Sequence, residues 1–177
     1  MKRQVAVIGL GRFGSAVAQS LYNIGHDVLA MDVTEDRVQS MMGQVTYPVT
    51  GDATNEPILR ELGIPDYDAA VVAVGSDIVA SVMACVLLKT MGVRYIVARA
   101  HNALHGNTLE RIGVDKIVHA EAEMGVRLAH NLFNPVVQEY IELAPNFGLS
   151  RLRVPERFVD RTLKELGFSN PRDRYGL

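Results

Sequence analysis

The feature that most constrains this chain is a repeated alternation of short apolar runs with helical patterns. The runs are Val5-Ala6-Val7-Ile8, Val28-Leu29-Ala30-Met31, Val45 to Val49, Ala69 to Val74, Tyr95 to Ala98 and Ile117-Val118. Each is continuously apolar rather than alternating, the pattern of a strand buried on both faces of a parallel sheet. Between them lie helical patterns at about Phe13 to Asn23, Glu35 to Met42, Asn55 to Leu62, Asp77 to Met91 and Leu104 to Ile112. The order is βαβαβαβαβαβ. Right-handed crossovers wind such an order into an α/β, doubly wound parallel sheet of Rossmann type, with its ligand crevice at the carboxyl ends of the strands where the strand order reverses.

Composition narrows the partners. The chain has 177 residues, enough for one full domain and a remainder too short for a second ordinary one. With 18 Lys+Arg against 20 Asp+Glu, the net charge of -2 leaves no electrostatic footprint for nucleic acid or an anionic membrane surface. No apolar run approaches the roughly 20 residues that span a bilayer, and Met1-Lys2-Arg3 leads straight into a strand. A cytoplasmic protein without direct membrane insertion is expected. Cys85, the single cysteine, sits in an apolar stretch and reads as a small buried hydrophobe.

Beyond the sixth run the pattern changes. Glu121 to Phe133 and Val136 to Leu143 are expected to form two amphipathic helices broken at Asn134-Pro135. Their apolar stripes (Met124, Leu128, Leu132 and Phe133, then Val137, Tyr140 and Ile141) must be buried, either on the same domain or on another chain as a dimerisation element. From Asn146 onward seven basic residues face four acidic ones, leaving the rest of the chain at -5. That shift, with Pro145, Asn146 and Gly148, marks a boundary. The expected division is therefore 1–120 as a nucleotide-binding domain, 121–145 as a helical hairpin, and 146–177 as a linker and the start of a second lobe.

The chemistry concentrates at Gly9-Leu10-Gly11-Arg12-Phe13-Gly14, directly after the first strand and at the opening of the first helix. Gly9 permits the tight turn, Gly11 lets the backbone approach a pyrophosphate, and Gly14 allows close helix–strand packing, while the helix N-terminus offers free N–H groups. Asp32 ends the second strand 18 residues beyond Gly14, the place of a carboxylate that accepts both ribose hydroxyls. Val33-Thr34-Glu35 follow it with no immediate Arg, which disfavours a 2′-phosphate and hence NADP. Arg12 opposes the helix dipole, so it is either a solvated surface residue or a partner for the extra phosphate charge of ATP or ADP.

Three further strand ends converge on the same crevice: Gly51-Asp52-Ala53-Thr54, Gly75-Ser76-Asp77 and Arg99-Ala100-His101-Asn102. Asp52 and Asp77 also stand where helix caps would. Arg99 ends a buried strand and calls for an anion nearby. His101 and His105 lie four apart, with no third ligand close in sequence, and a surface or capping role is expected. Glu121 and Glu123 suit a helix N-terminus, and equally a divalent cation beside phosphates. None of the six tyrosines is followed four residues later by Lys, and there is no Walker A pattern. With no evident general acid or base, binding or sensing outranks catalysis; an NAD-dependent oxidoreductase with a minimal substrate site is the alternative.

Ala6-Val7-Ile8-Gly9-Leu10-Gly11-Arg12-Phe13-Gly14, Asp32, Gly51-Asp52-Ala53-Thr54, Gly75-Ser76-Asp77 and Gly113-Val114-Asp115-Lys116-Ile117-Val118 together resemble RCK (KTN or TrkA-N) domains, in particular the cytosolic gating subunits of Ktr/Trk potassium uptake systems. The likeness spans about residues 2–145. Val154-Pro155-Glu156-Arg157-Phe158-Val159 and Thr162-Leu163-Lys164-Glu165-Leu166 resemble the opening of that family's C-terminal lobe, which the stop at Leu177 would leave incomplete. The resemblance implies a regulatory protein, not an enzyme, with ATP, ADP or NAD(H) held at Gly9, Gly11, Arg12, Phe13, Gly14, Asp32, Asp52, Ala53, Thr54, Ser76 and Arg99. It implies Arg12 on the terminal phosphate and Glu121 in a Ca²⁺ or Mg²⁺ site between protomers. It further implies homodimers assembling into an octameric ring, peripheral on the cytoplasmic side of a membrane K⁺-translocating subunit.

Overall fold

The computed structural model describes residues 2–75, 77–132, 137–144, 147–154 and 156–167. The six apolar runs become β1 (Gln4–Ile8), β2 (Asp27–Asp32), β3 (Tyr47–Thr50), β4 (Ala69–Val72), β5 (Ile96–Arg99) and β6 (Lys116–Val118). Between them lie α1 (Arg12–Asn23), α2 (Glu35–Ser40), α3 (Glu56–Glu61), α4 (Ile78–Thr90) and α5 (Ala103–Ile112), with a 3-10 turn at Ile64–Asp66. All the strand pairs of this sheet are parallel and their order is β3-β2-β1-β4-β5-β6. Ile8 therefore pairs with Met31 on one side and Val72 on the other. The order reverses between β1 and β4, and beyond the carboxyl ends of those strands the crossovers part.

Two cores explain why the runs are continuous. Ala6, Ile8, Leu29 and Met31 face one side, where they join Leu59 of α3, Ala84, Cys85 and Leu88 of α4, and Leu109 of α5. Val5, Val7, Val28 and Ala30 face the other, against Ala18 of α1 and Val38 of α2. Successive strand residues point to opposite faces, so a sheet covered on both sides needs apolar residues at every position. Burying each large side chain contributes about 1.5–3 kcal/mol. Burial also pushes the Cys85 thiol up to about 12, which keeps it an inert, protonated packing residue.

Local signals set the helix ends. Asp77 caps α4 by accepting the Ala80 N–H at 2.9 Å, and Asn102 caps α5 by accepting the His105 N–H at 2.8 Å. Gly113 ends α5 in the left-handed region at φ 85°, where a Cβ would be strained.

The chain divides into two compact units, Met1–Ala120 and Glu121–Leu177. The second holds α6 (Ala120–Leu132, whose first residue belongs to the first unit), β7 (Val137–Ala144), β8 (Phe147–Leu152) and a 3-10 turn at Glu156–Phe158. The first expected arm of the hairpin is thus a helix, with Met124, Val126, Leu128 and Leu132 exposed. The second expected helix, Val136 to Leu143, is corrected: 137–144 is a strand, paired antiparallel with β8 from Val137↔Leu152 to Ala144↔Phe147. Its sequence, Val-Gln-Glu-Tyr-Ile-Glu-Leu-Ala, mixes β-branched and aromatic residues in a run too short for periodicity to separate strand from helix, and the partner strand supplies the ladder that decides it. The boundary expected between 145 and 146 accordingly falls inside a β-hairpin. Phe133, Asn134, Pro135, Pro145 and Asn146 lie outside the described residues.

Candidate functional site

The site forms where β1 stops. The Gly9 N–H donates to the Met31 carbonyl at 2.8 Å, and the Ala73 N–H donates to the Ile8 carbonyl at 2.7 Å, so the turn is tied to both neighbouring strands. Gly9 adopts φ 93°, and a Cβ there would lie 2.9 Å from the Val74 nitrogen. Gly14 packs directly on the Gly9 carbonyl and on Ala73, so a side chain at Gly14 would push α1 off the sheet, while one at Gly9 would strike the backbone just beyond β4. Gly11 differs. A Cβ on it would meet nothing within 4 Å, so its smallness serves open space in front of the helix rather than packing.

Gly11 is the N-cap of α1 and makes no side-chain cap, and the first turn holds no acidic residue. The leading amides of that helix therefore have no intrahelical acceptor and carry the positive end of the dipole. The exposed Arg12 adds a full positive charge beside them.

Asp32 is held opposite. Its carboxylate accepts the Leu10 N–H on Oδ2 at 2.7 Å and the Thr34 N–H on Oδ1 at 2.8 Å. Burial pushes its pKa up, but those N–H groups, the Thr34 hydroxyl and the Arg37 guanidinium outweigh burial and hold it below the usual carboxylate value. Asp32 is therefore an ionised acceptor inside the crevice.

Gly9, Gly11, Arg12, Asp32, Asp52, Ala53, Thr54 and Arg99 line one crevice of about 800 Å³, large enough for a nucleotide. Asp52 folds back to accept the N–H and hydroxyl of Thr54, both at 2.8 Å, so it shapes a turn, and the N-cap of α3 is Asn55. Phe13 and Gly14 do not line the crevice; they stand behind it, Phe13 with its ring 5.9 Å from the Arg99 guanidinium and Gly14 in the helix–strand contact. Arg99 also lies against Gly75. Ser76 lies outside the described residues.

The two histidines separate. His101 lines the crevice, whereas His105 is buried and its Nδ1 accepts the His101 N–H at 3.2 Å. Glu121 stands in the first turn of α6, in the second unit. Among the described residues no three His, Cys, Asp or Glu side chains gather as a metal site, and a single carboxylate falls short of the six or more oxygens Ca²⁺ takes.

Sequence reasoning missed one wall and one charge. Val79, Ala80 and Met83 of α4 form an apolar side of the crevice. Their helix is apolar around most of its surface, so no periodicity singles out the face toward the ligand. Arg37 lines the mouth and meets Asp32 Oδ2 at 3.3 Å. It stands five residues after Asp32, in the first turn of α2, a spacing that no motif marks.

The chain is similar to known proteins in sequence and in fold. The TrkA-N domain model matches residues 5–120. The Ktr system potassium uptake protein C of Bacillus subtilis is 38% identical over 177 residues, covering 100% of this chain and 79% of that protein. The Ktr system potassium uptake protein A of Vibrio alginolyticus is 36% identical over 164 residues, 93% of this chain and 74% of that protein. In fold, the TrkA-N domain of the Escherichia coli inner membrane protein ybaL superposes with a TM-score of 0.67 at 18% identity, over 76% of this chain and 98% of that one. A GsuK structure bound to ADP does so with a TM-score of 0.60 at 15% identity, over 96% of this chain and 52% of that one. The chain thus belongs to the TrkA-N domain family.

Proposed function

We propose that the chain is a nucleotide-sensing regulatory subunit of a potassium uptake system. The observation that carries this is the convergence, in one crevice, of the open α1 N-terminus with Arg12 and the ionised Asp32. The relatives' names, potassium uptake proteins, and the ADP in the GsuK structure support it. An adenine nucleotide, ATP or ADP, or the ADP half of NAD(H), sets its ribose hydroxyls on Asp32 and its phosphates on the α1 amides. Arg12 and Arg99 pair with phosphate charge, and Asp52, Ala53 and Thr54 border the base. A regulatory role, rather than hydride transfer, is the reading these relatives favour.

Binding alone regulates only if two states of the assembly hold the nucleotide differently. We place the second state in the arrangement of subunits. The exposed apolar residues of α6 pair protomers, dimers build an octameric ring, and the ring docks on the cytoplasmic side of the membrane subunit. Glu121 would supply one carboxylate to a Ca²⁺ or Mg²⁺ site that a partner completes. Among the described residues no helix is long and apolar enough to cross a membrane, which supports a peripheral location. Sedimentation of the full chain as a monomer at micromolar concentration would remove the pairing.

The function is tested by potassium flux through a Ktr-type membrane subunit combined with the full chain. Flux should differ between ATP and ADP, and Asp32→Ala should abolish the difference. Flux indifferent to nucleotide with the unaltered chain would overturn the proposal.

A further inference from the structure

We infer that Arg37 is a displaceable latch on Asp32 that sets how sharply the crevice distinguishes a nucleotide with a ribose 2′-hydroxyl from one without it. The inference rests on the nucleotide-binding reading and assigns a role to a residue which that reading leaves unused. A carboxylate offers about four acceptor positions, two on each oxygen. On Asp32 all four are engaged: Oδ2 accepts the Leu10 N–H at 2.7 Å and Arg37 Nη1 at 3.3 Å, Oδ1 accepts the Thr34 N–H at 2.8 Å, and the Thr34 hydroxyl donates as well. The hydroxyl is a rotor, and turning it to another acceptor frees one position without moving a heavy atom.

A ribose diol donates two O–H groups. The position that the Thr34 hydroxyl gives up receives one, and the second needs the position on Oδ2 that Arg37 holds. Something must yield. The Leu10 and Thr34 donors are backbone amides, short and fixed by the turns that carry them. Arg37, at 3.3 Å, lies farther from the carboxylate than either amide, its side chain is 54% exposed against 4% for Asp32, and its long stem can swing outward. A diol therefore displaces Arg37, whereas a 2′-deoxyribose, with a single hydroxyl to donate, takes the position that the Thr34 hydroxyl gives up and leaves the latch in place. A half-exposed ion pair is a weak competitor, so displacement reduces the advantage of the 2′-hydroxyl by about two- to fivefold.

The test is calorimetric titration of the full chain with ADP and 2′-deoxy-ADP, in the unaltered protein and in Arg37→Ala, Arg37→Gln and Arg37→Lys. The readout is the ratio of the two dissociation constants, in which the attraction of Arg37 for the phosphates cancels. Removing the latch should raise the preference for ADP over 2′-deoxy-ADP by about two- to fivefold in Arg37→Ala and Arg37→Gln. Arg37→Lys, which keeps a cation able to reach Oδ2, should stay near the unaltered ratio. A ratio unchanged or lowered in both Arg37→Ala and Arg37→Gln overturns the latch while leaving nucleotide binding intact. Failure of the unaltered chain to bind either nucleotide overturns the nucleotide reading itself, and the latch with it.

Discussion

The backbone N–H of Leu10 donates to the buried carboxylate of Asp32 at 2.7 Å, so the glycine turn after β1 and the end of β2 share one hydrogen bond. Removing the carboxylate leaves the Leu10 and Thr34 amides without their acceptor as well as removing the proposed ribose contact. Asp32→Ala is expected to cost about 1–3 kcal/mol of stability, the penalty for buried donors left unpaired, and to weaken ADP binding at least tenfold. Urea unfolding and calorimetry measure the two losses, and retention of full ADP affinity would contradict the assignment of Asp32.

Gly14 and Gly11 separate packing from binding. A Cβ at Gly14 meets the Gly9 carbonyl and Ala73, so Gly14→Ala should lower the melting temperature by several degrees, the response to about 1–3 kcal/mol of overpacking. A Cβ at Gly11 meets open space and its φ is -72°, so Gly11→Ala should fold with nearly unaltered stability yet lose nucleotide affinity by obstructing the phosphates. Equal melting temperatures for the two variants would refute this division of roles.

Arg12 stands in the first turn of a helix whose dipole it opposes, and the proposed role gives it phosphate charge to pair with. Arg12→Ala is expected to weaken ATP by about tenfold, the scale of one lost charge-assisted hydrogen bond, and to weaken NADH less, because NADH carries fewer phosphate charges. Competition titrations measure the ratio; equal losses for both ligands would remove Arg12 from the terminal phosphate.

His105 predicts an acid sensitivity. Burial, followed by the proximity of His101, lowers its pKa below the ordinary 6.5. The unfolded chain then takes up the proton more readily than the folded one. Stability is complete above pH 6.5 and falls as pH drops below it, until the folded imidazole itself titrates. Protonation also ends the acceptance of the His101 N–H by Nδ1, which loosens a segment lining the crevice. Imidazole NMR titration should place the His105 midpoint below 6.5, and a midpoint at or above that value would contradict the account.

The sheet domain was readable because its signals are local and mutually consistent. Val5 to Ile8 is apolar at every position since β1 has a core on each face, and the glycines and Asp32 occupy spacings that turn geometry and ribose chemistry both demand. What escaped depends on partners distant in sequence. Val137–Ala144 becomes a strand because 147–152 lies beside it. The asymmetry of α4 toward the crevice arises from where the helix sits, not from its pattern. Arg37 reaches Asp32 through a turn of α2 that no motif encodes, and His105 is buried at the start of α5, its Nδ1 accepting the His101 N–H, a contact that its spacing from His101 alone did not reveal.

The most direct measurement of the central claim is calorimetric titration of the full chain with ADP at neutral pH. Saturable binding at one nucleotide per chain, competed by ATP, is the predicted result; the absence of any binding heat or competition with a correctly folded chain would contradict it.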